Sequence, residues 1–312
     1  MDKVLFGKSG EWVSGFALGT MYMGSRISDK DSKDIIETYL EQGGNFVDTA
    51  NNYAYWLDGC VGTESESFLG RWLKESGKRH EIFLATKVGF NSKVNQKGLS
   101  AKQIIESCEK SLMLMNTDYI DLYYAHTDDR ITPLEESMEA FDILKRQGKI
   151  RFLGASNYTN WRFADAVHVC REKGYIEFSC LQNRFTYLRP LPCVLDRFHI
   201  EITDDVQDFA CDREIPLIAY SPLLQGYYAK GGDEVPSLYG GSHNRKRMES
   251  LRKVAEEIGD ISLNQLVLLW MRRQKAEMIP LISGSSPAQI VENLKAAEFS
   301  LTEEQLNVLN DA

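Results

Sequence analysis

The residues best suited to chemistry are a carboxylate, a phenol, an amine and an imidazole that follow three apolar, strand-like runs. Asp48 stands near the end of one run, and Tyr53 comes five residues later. Lys87 ends a second run and His126 ends a third. If parallel strands carry these runs, their carboxyl ends lie together and the polar side chains converge. A phenol in such a cluster can act as a general acid or base toward a substrate oxygen.

The phenol of Tyr53 needs help to work near neutral pH, because a free tyrosine has a pKa of about 10. Lowering that pKa by about two to three units requires roughly 3–4 kcal/mol. One ammonium at about 4 Å supplies about 4 kcal/mol at an effective dielectric constant near 20. The sequence therefore predicts that Lys87 lowers the pKa of Tyr53 and that Asp48 holds the ammonium in place. His126 would position the substrate oxygen or share a proton with it.

Eight short apolar runs predict the strands that position these groups. Most runs begin 30 to 38 residues after the previous one, which fits one strand and one crossover helix per unit. Their near-continuous apolar character is typical of strands buried on both faces of a parallel sheet. The predicted strands are Phe16–Gly19, Phe46–Ala50, Ile82–Lys87, Ile120–His126, Ile150–Ser156, Cys180–Asn183, Pro216–Ser221 and Ile279–Ser283.

The helices between the runs are marked by capping boxes, in which a Ser or Thr precedes a Glu or Gln by three residues. Alternating strands and helices predict an α/β fold, a (β/α)8 TIM barrel in a single domain over residues 1–312. A two-domain Rossmann fold is disfavoured, because no G-x-G-x-x-G follows a strand. The predicted boxes are Thr63/Glu66, Ser100/Gln103, Thr132/Glu135, Ser262/Gln265, Ser286/Gln289 and Thr302/Gln305.

Three additions to the barrel are predicted. An N-terminal β-hairpin is expected over Val4–Val13. The long seventh unit contains a Gly- and Pro-rich loop at Tyr227–Asn244, followed by helices at Arg245–Ile258 and Leu263–Arg273. A further helix is expected at the C-terminus, behind Thr302.

Composition and charge exclude several classes of protein. Lys and Arg number 36 against 45 Asp and Glu, and this net charge of −9 argues against a nucleic-acid partner. No apolar stretch reaches the roughly 18 residues that span a bilayer, and no secretory core follows Met1. We therefore expect a cytoplasmic globular protein with reduced thiols and no membrane partner. Its six cysteines lie far apart, at Cys60, Cys108, Cys170, Cys180, Cys193 and Cys211.

The segments around the four polar groups resemble those of a known family. Phe46–Tyr53, Ala85–Lys87 and Tyr124–His126 resemble the segments that hold the Asp, Tyr, Lys and His tetrad of the aldo-keto reductases. The resemblance implies that this tetrad is catalytic and that Tyr53 is the general acid for hydride transfer between a nicotinamide cofactor and a carbonyl carbon. The likeness continues through Leu18–Thr20, Gly154–Asn157, Gln182–Asn183, Tyr220–Leu223 and Ser283–Asn293.

The same resemblance implies which residues bind the cofactor. Ser156, Asn157 and Gln182 would hold the carboxamide, and the ring of Tyr220 would stack on the nicotinamide. The phosphates would lie at the backbone that follows Tyr220 and at a late helix N-terminus, which is a reasonable anion site on physical grounds as well. The other implied cofactor contacts are Gly19, Thr20, Met21, Asp48, Ser221, Pro222, Leu223, Gln225, Lys230, Arg245, Ser283, Ser285, Gln289 and Asn293.

The sequence departs from the family pattern at the adenosine end of the cofactor. Ser283 stands at the usual glycine, and Gln289 stands where many members have an arginine that grips the 2′-phosphate of NADPH. Gln289 is also the return residue of a predicted capping box, a purely structural alternative. Cations of the long seventh loop could replace the arginine, or they could be solvated surface charges. NADP(H) is therefore favoured, and NAD(H) is possible. These cations are Lys230, Arg245, Lys246 and Arg247.

An aromatic substrate pocket is predicted, although one of its candidate residues could instead fill the barrel. The candidates are Tyr55, Trp56, Phe90, Tyr124, Tyr227 and Tyr228, and Tyr124 is the ambiguous one. His126 lacks a neighbouring second histidine, so no metal site is expected. Substrate choice is assigned to the loops Tyr53–Gly62, Phe90–Leu99, Arg184–Ile202 and Tyr227–Asn244, and the sequence predicts neither the substrate nor the oligomeric state.

Two functions of different classes follow. The first is an NAD(P)H-dependent oxidoreductase that reduces a small aldehyde or ketone, or oxidises an alcohol in reverse. The second is a cofactor-binding regulatory subunit that turns over slowly and acts through a protein partner, because the sequence also resembles the β-subunits of voltage-gated potassium channels. Those subunits retain the tetrad, so the tetrad alone does not separate the two. We expect the free enzyme, since no long extension precedes Phe16.

Overall fold

Eight parallel strands close into a barrel in chain order, and the last strand pairs with the first. This architecture confirms the predicted (β/α)8 fold. The computed structural model describes residues 1–191, 199–230 and 235–312. Cys193 and parts of the two later specificity loops lie outside these residues. The barrel strands are β3 Ala17–Gly19, β4 Phe46–Asp48, β5 Phe83–Val88, β6 Ile120–Ala125, β7 Ile150–Ser156, β8 Phe178–Arg184, β9 Leu217–Tyr220 and β10 Met278–Ile282.

The predicted N-terminal hairpin is confirmed, and it closes the amino-terminal end of the barrel. Strand β1 (Lys3–Leu5) pairs antiparallel with β2 (Trp12–Ser14). Between them Phe6 is fully buried, with its ring centroid 5.2 Å from that of Phe83 and 6.1 Å from that of Phe46. The hairpin thus leaves the carboxyl ends of the strands as the open end of the barrel.

Ten α-helices lie in the part of the chain that the structure describes. The additional helices predicted after the seventh barrel strand and at the C-terminus are confirmed as α7, α8 and α10. None of these helices is long and apolar enough to cross a membrane. The helices are α1 Asp29–Glu41, α2 Glu64–Ser76, α3 Ala101–Leu114, α4 Leu134–Arg146, α5 Asn160–Lys173, α6 Asp204–Arg213, α7 Ser242–Ile258, α8 Leu263–Met271, α9 Pro287–Leu294 and α10 Glu303–Asn310.

Half of the predicted capping boxes form. Both reciprocal hydrogen bonds are present at Ser100/Gln103, Ser262/Gln265 and Thr302/Gln305. At the start of α9 only one forms, because the Gln289 side chain turns back to Ser285 instead of its N-cap residue.

Two predicted boxes are wrong because one side chain of each box forms a hydrogen bond with another residue. The Glu66 carboxylate does not return to Thr63 but accepts a buried hydrogen bond from Thr86 at 2.6 Å. The Thr132 hydroxyl donates to Asp129 at 2.7 Å, and α4 begins after Pro133.

A buried carboxylate links β5 and β6 at the hairpin end of the barrel. Asp121 is 2% exposed and accepts a hydrogen bond from the Leu84 amide at 2.9 Å. The same carboxylate pairs with Arg79 at 2.8 Å and with Arg151 at 2.7 Å. Removing this carboxylate would leave the buried Leu84 amide without an acceptor and take one partner from each arginine.

We expect Asp121→Ala to lower the free energy of unfolding by about 3 kcal/mol, because it leaves a buried amide without its acceptor and takes the carboxylate partner from two arginines. Urea unfolding followed by circular dichroism measures this loss. The matched control is Asp34→Ala, which removes an exposed pair with Lys30 and should cost less than about 0.5 kcal/mol. Equal losses in the two variants would contradict a stabilising role for the Asp121 cluster.

Candidate active site

The carboxyl ends of β4, β5 and β6 bring the four predicted catalytic side chains together. The Lys87 ammonium donates to the Tyr53 hydroxyl at 2.8 Å and forms an ion pair with Asp48. The Tyr53 hydroxyl in turn donates to Asp48 at 3.3 Å. The His126 ring stands edge-on to the Tyr53 ring, with 6.2 Å between centroids. The phenol therefore lies among an ammonium, a carboxylate and an imidazole.

One further contact was missed from the sequence. The backbone carbonyl of Thr49 accepts a hydrogen bond from Lys87 at 2.7 Å, so the ammonium is held from three sides. No side-chain pattern signals a backbone acceptor, although the position of Thr49 directly after Asp48 is compatible with one.

The prediction that the pKa of Tyr53 is lowered is wrong. Burial raises the pKa of Tyr53 well above 10, and the negative charge of Asp48 raises it further. Burial also lowers the pKa of Lys87, against the opposing effect of Asp48. The prediction rested on the attraction of the ammonium. In the structure, desolvation of the phenolate and its repulsion from Asp48 outweigh that attraction. Tyr53 is consequently held in its protonated form.

His126 is held neutral. Burial lowers the pKa of His126 well below 6.5, and the nearby positive charge of Lys87 lowers it further. Its Nδ1 atom is buried without a hydrogen-bond partner in the described part of the chain. A neutral imidazole can orient a substrate oxygen without competing with Tyr53 as the acid.

Strained backbone is concentrated at this end of the barrel. Non-glycine residues rarely adopt positive φ, and clusters of them are typical of functional sites. Five of the seven such residues in the described chain lie in turns that follow barrel strands. They are Ala54 (φ 65°), Asn157 (φ 57°), Ser221 (φ 56°), Leu224 (φ 46°) and Gln225 (φ 57°).

The residues predicted to hold the carboxamide lie beside the tetrad and contact one another. Gln182 donates to Asp48 at 3.0 Å. Asn157 donates to the His126 carbonyl at 3.0 Å and to the Ser156 hydroxyl at 3.1 Å. The Tyr220 hydroxyl donates to the Asn157 side chain at 2.7 Å. Strands β6 to β9 thus present one connected polar surface next to Lys87.

The three cofactor contacts predicted at the end of β3 differ in exposure. Gly19 ends the strand, and Met21 is partly exposed. The Thr20 side chain is fully buried, and its hydroxyl donates to the Asp48 carbonyl at 3.0 Å. Thr20 is therefore bonded into the barrel, and only Gly19 and Met21 of this segment are partly exposed.

The turn after β9 is the predicted phosphate-binding segment. Ser221 and Gln225 are exposed, Leu223 is partly exposed, and Pro222 is buried, with its carbonyl bonded to a threonine. Lys230, at the end of this turn, is exposed. The strained φ angles of this segment are compatible with backbone amides that point outward to an anion.

The adenosine end of the predicted cofactor site lies at the start of α9. The Gln289 side chain accepts from the Ser285 amide at 2.7 Å, so it already serves the structural role considered above. Asn293 donates to the Ser283 carbonyl at 3.4 Å, which fixes the loop before the helix. Ser283, Ser285 and Gln289 are exposed.

The cations at the start of α7 differ in availability. Arg245 and Lys246 are exposed. Arg247 is 2% exposed, and its guanidinium donates to the carbonyls of Tyr187 at 2.7 Å and Ala312 at 3.0 Å. Arg247 is therefore a structural residue, and its predicted contribution to the cofactor site is wrong.

Three of the six aromatic candidates lie around the open end of the barrel. The Phe90 ring stands 4.7 Å from the His126 ring, and Tyr55 and Trp56 are 5.3 Å apart in an edge-to-face pair. Trp56 is 47% exposed. Phe90 thus lies beside the imidazole, while Tyr55 and Trp56 follow Tyr53 in the loop after β4, and we refer to these three rings as the aromatic rim.

The other three aromatic candidates belong to the core, and their predicted pocket role is wrong. Tyr124 is 0% exposed and fills the barrel below Lys87, with the ammonium 5.5 Å from its ring centroid. Tyr227 and Tyr228 are buried as well. The Tyr228 hydroxyl is bonded to Thr186 at 2.6 Å.

The donor set fits a nicotinamide cofactor better than a metal. In the described residues no group of three or more His, Cys, Asp or Glu side chains could hold a metal ion. The same end of the barrel carries an unpartnered imidazole nitrogen, an unpartnered Asn183 oxygen, and a strained turn after β9. Amide, hydroxyl and backbone groups of this kind suit a carboxamide and phosphates.

Comparisons with known proteins agree with this geometry. Residues 16–312 match the sequence profile of the Aldo/keto reductase family. The chain is 30% identical to an uncharacterized oxidoreductase, YrpG, of Bacillus subtilis, covering 100% of this chain and 95% of that protein.

Two fungal relatives carry more specific names. An aryl-alcohol dehydrogenase (NADP+) of Phanerodontia chrysosporium is 26% identical over 96% of this chain and 82% of its own length. A norsolorinic acid reductase of Aspergillus flavus is 27% identical over 99% of this chain and 80% of its own length.

Proposed function

Since this chain belongs to the aldo/keto reductase family, and is thus an oxidoreductase that acts on carbonyls, we propose that it reduces a small aromatic aldehyde or ketone with NADPH, using Tyr53 as the proton donor. The observation that carries this proposal is the contact of 2.8 Å between the Tyr53 hydroxyl and the Lys87 ammonium, beside the aromatic rim of Tyr55, Trp56 and Phe90.

The cofactor supplies the hydride when it is bound. Ser156, Asn157 and Gln182 would hold its carboxamide, Tyr220 would support its ring, and the turn after β9 would receive its phosphates. All of them lie at the carboxyl ends of neighbouring strands, which supports a bound ring beside the tetrad.

Tyr53 gives its proton to the carbonyl oxygen as negative charge develops there. Tyr53 is protonated at neutral pH, as reduction requires, but its raised pKa makes it a weak acid, so donation depends on stabilisation of the phenolate. The Lys87 ammonium stabilises the phenolate that remains, and Asp48 keeps the ammonium in position. Neutral His126 orients the carbonyl oxygen toward the phenol.

The aromatic rim supports an aromatic substrate. Phe90 offers a flat apolar surface next to His126, and Tyr55 and Trp56 offer two more in the loop that carries Tyr53, and rings stack on or pack edge-on to such surfaces. One relative is named for aryl alcohols and another for the reduction of norsolorinic acid. Aromatic carbonyl compounds are therefore the substrate class that we propose.

A substrate panel with both reduced cofactors tests the proposal. Benzaldehyde and its ring-substituted derivatives should be reduced with a kcat/KM at least tenfold above that of butanal, measured by the loss of nicotinamide absorbance at 340 nm. Phe90→Ala should remove most of this preference, because it removes the ring that contacts His126. Equal rates with aromatic and aliphatic aldehydes would contradict the aromatic class, and no reduction of any carbonyl would contradict the function.

NADPH should bind more tightly than NADH, and one loop cation should account for the difference. The 2′-phosphate carries about −1.5 to −2 charges near neutral pH, and a helix N-terminus supplies only about 0.3–1 kcal/mol toward it. Lys230→Ala or Arg245→Ala should therefore weaken NADPH binding by roughly tenfold, an effect of about 1.4 kcal/mol, with NADH binding unchanged.

Fluorescence titration of both cofactors measures this effect. The matched control is Lys253→Ala, which removes another exposed cation of α7. Equal wild-type affinities for NADPH and NADH would show that neither cation reads the 2′-phosphate.

We favour the enzyme over the regulatory subunit, since the relatives described above are named oxidoreductase, dehydrogenase or reductase. We also propose that it works in the cytoplasm. The cysteines in the described part of the chain are all free thiols, which suits a reducing compartment.

A further inference from the structure

A chain of hydroxyl groups connects the start of α2 to the strand that carries Asp48. The Ser65 hydroxyl lies 2.8 Å from the hydroxyls of both Thr20 and Thr49, and it donates to the Thr20 carbonyl at 2.8 Å. Thr20 in turn donates to the backbone carbonyl of Asp48 at 3.0 Å. All of these side chains are at most 1% exposed.

The single proton of each hydroxyl has an acceptor. The Thr20 hydroxyl donates to the Asp48 carbonyl, and the Ser65 hydroxyl donates to the Thr20 carbonyl. The Thr49 hydroxyl is left to donate to the Ser65 hydroxyl oxygen. Ser65 is the central member, because it is the only one of the three that contacts both others. Satisfied buried networks of this kind fix the groups they contain.

The hydroxyl chain ends on both sides of the ammonium site. The Thr49 backbone carbonyl accepts from Lys87 at 2.7 Å, while the side chain of the same residue is held by Ser65. Asp48, which pairs with Lys87, is held at its backbone by Thr20. Two of the three groups that hold the ammonium are thus anchored to Ser65.

The residue after Ser65 anchors the other strand. Glu66 is 1% exposed and accepts from Thr86 at 2.6 Å, and Thr86 directly precedes Lys87 on β5. The first turn of α2 therefore contacts the carboxyl ends of β3, β4 and β5 through buried side chains.

We infer that Ser65 is a positioning residue for the Asp48–Lys87 pair and, through that pair, for the Tyr53 phenol. It touches neither substrate nor cofactor and acts only through Thr20 and Thr49. The kinetic part of this inference rests on the proposed function, whereas the geometric part can be measured without turnover.

The test compares Ser65→Ala with Thr49→Val and Thr49→Ser. The first two variants break the hydroxyl chain, and the third restores its hydroxyl in the smaller side chain. The 13Cζ resonance of Tyr53, assigned by its absence in Tyr53→Phe, reports the hydrogen bonds of the phenol. We expect this resonance to move in Ser65→Ala and Thr49→Val and to return to the wild-type position in Thr49→Ser.

The kinetic expectation is a split between kcat and KM. A misplaced catalytic group slows the chemical step, so kcat should fall by roughly tenfold while KM stays within about twofold of wild type. Thr49→Ser should recover most of the wild-type kcat.

Ser14→Ala is the matched control at the opposite end of the barrel. Ser14 is also fully buried and bonds to Tyr39 at 2.6 Å and to the Phe16 carbonyl at 2.9 Å. It should lower the melting temperature as Ser65→Ala does, yet leave the Tyr53 resonance and kcat unchanged.

An unmoved Tyr53 resonance in a folded Ser65→Ala or Thr49→Val protein overturns the inference, and so does the same movement in Ser14→Ala. If Ser65→Ala does not fold, the Thr49 pair decides. If the wild type reduces no carbonyl, the proposed function fails, while the resonance test still decides the positioning role.

Discussion

Tyr53→Phe should lower the turnover of carbonyl reduction by about two to four orders of magnitude, the usual contribution of a general acid. The substitution removes the one hydroxyl that contacts both Lys87 and Asp48 and keeps the ring. His126 is a poor replacement as the acid, since burial keeps it neutral. Cofactor affinity should change little, because the residues proposed to hold the cofactor lie on other strands.

Single-turnover measurements with a good aldehyde separate chemistry from product release, and fluorescence titration follows cofactor binding. Tyr55→Phe is the matched control, since it removes a phenol hydroxyl two residues away and should leave turnover near the wild-type value. If Tyr53→Phe kept a tenth or more of wild-type turnover while chemistry limited the rate, Tyr53 would not be the proton donor.

The sequence was sufficient to predict the barrel because each strand is short, apolar and followed by a helix. The predicted run Ile150–Ser156 coincides with β7, and the other seven runs overlap their strands. The same regularity placed Asp48, Lys87 and His126 at one end, since the carboxyl ends of parallel strands share it. Their close approach follows from topology, which the sequence spacing already contains.

The predictions that failed depend on contacts between distant parts of the chain. Glu66 fits a capping box by its spacing, but Thr86 offers a buried donor from another element. Arg247 resembles its exposed neighbours in sequence, but it is buried, and its Nε and Nη1 donate to the carbonyls of Tyr187 and Ala312. Tyr124 faces the barrel interior rather than its open end.

The pKa of Tyr53 shows the same limit in electrostatic terms. The sequence shows which charges lie near the phenol but not how deeply the phenol is buried, and burial is the largest cause of its raised pKa. The consequence concerns the direction of the reaction. Reduction starts from the protonated phenol and oxidation from the phenolate, so the pH profile of oxidation reports the pKa that the ammonium helps to set.

The effect of Lys87→Met on the pKa of Tyr53 should therefore be read from the pH profile of alcohol oxidation. Oxidation needs the phenolate, so its rate rises as pH increases through the pKa of Tyr53. Removing the ammonium at 2.8 Å destabilises the phenolate and raises that pKa, which should move the rising limb by about 1–3 units to higher pH. Turnover at neutral pH should fall at least a hundredfold, because the fraction of phenolate falls with the shift, by about tenfold per unit, and the phenol loses its fixed partner.

Asp48→Asn provides the graded comparison. It keeps the side-chain shape and the ammonium but weakens the ion pair that holds it, so the limb should move in the same direction by less. Pre-steady-state oxidation of benzyl alcohol between pH 6 and 11 measures both profiles. Unshifted profiles in both variants would show that Lys87 does not set the ionisation of Tyr53. A larger shift in Asp48→Asn than in Lys87→Met would mean that the carboxylate, rather than the ammonium, controls the phenol.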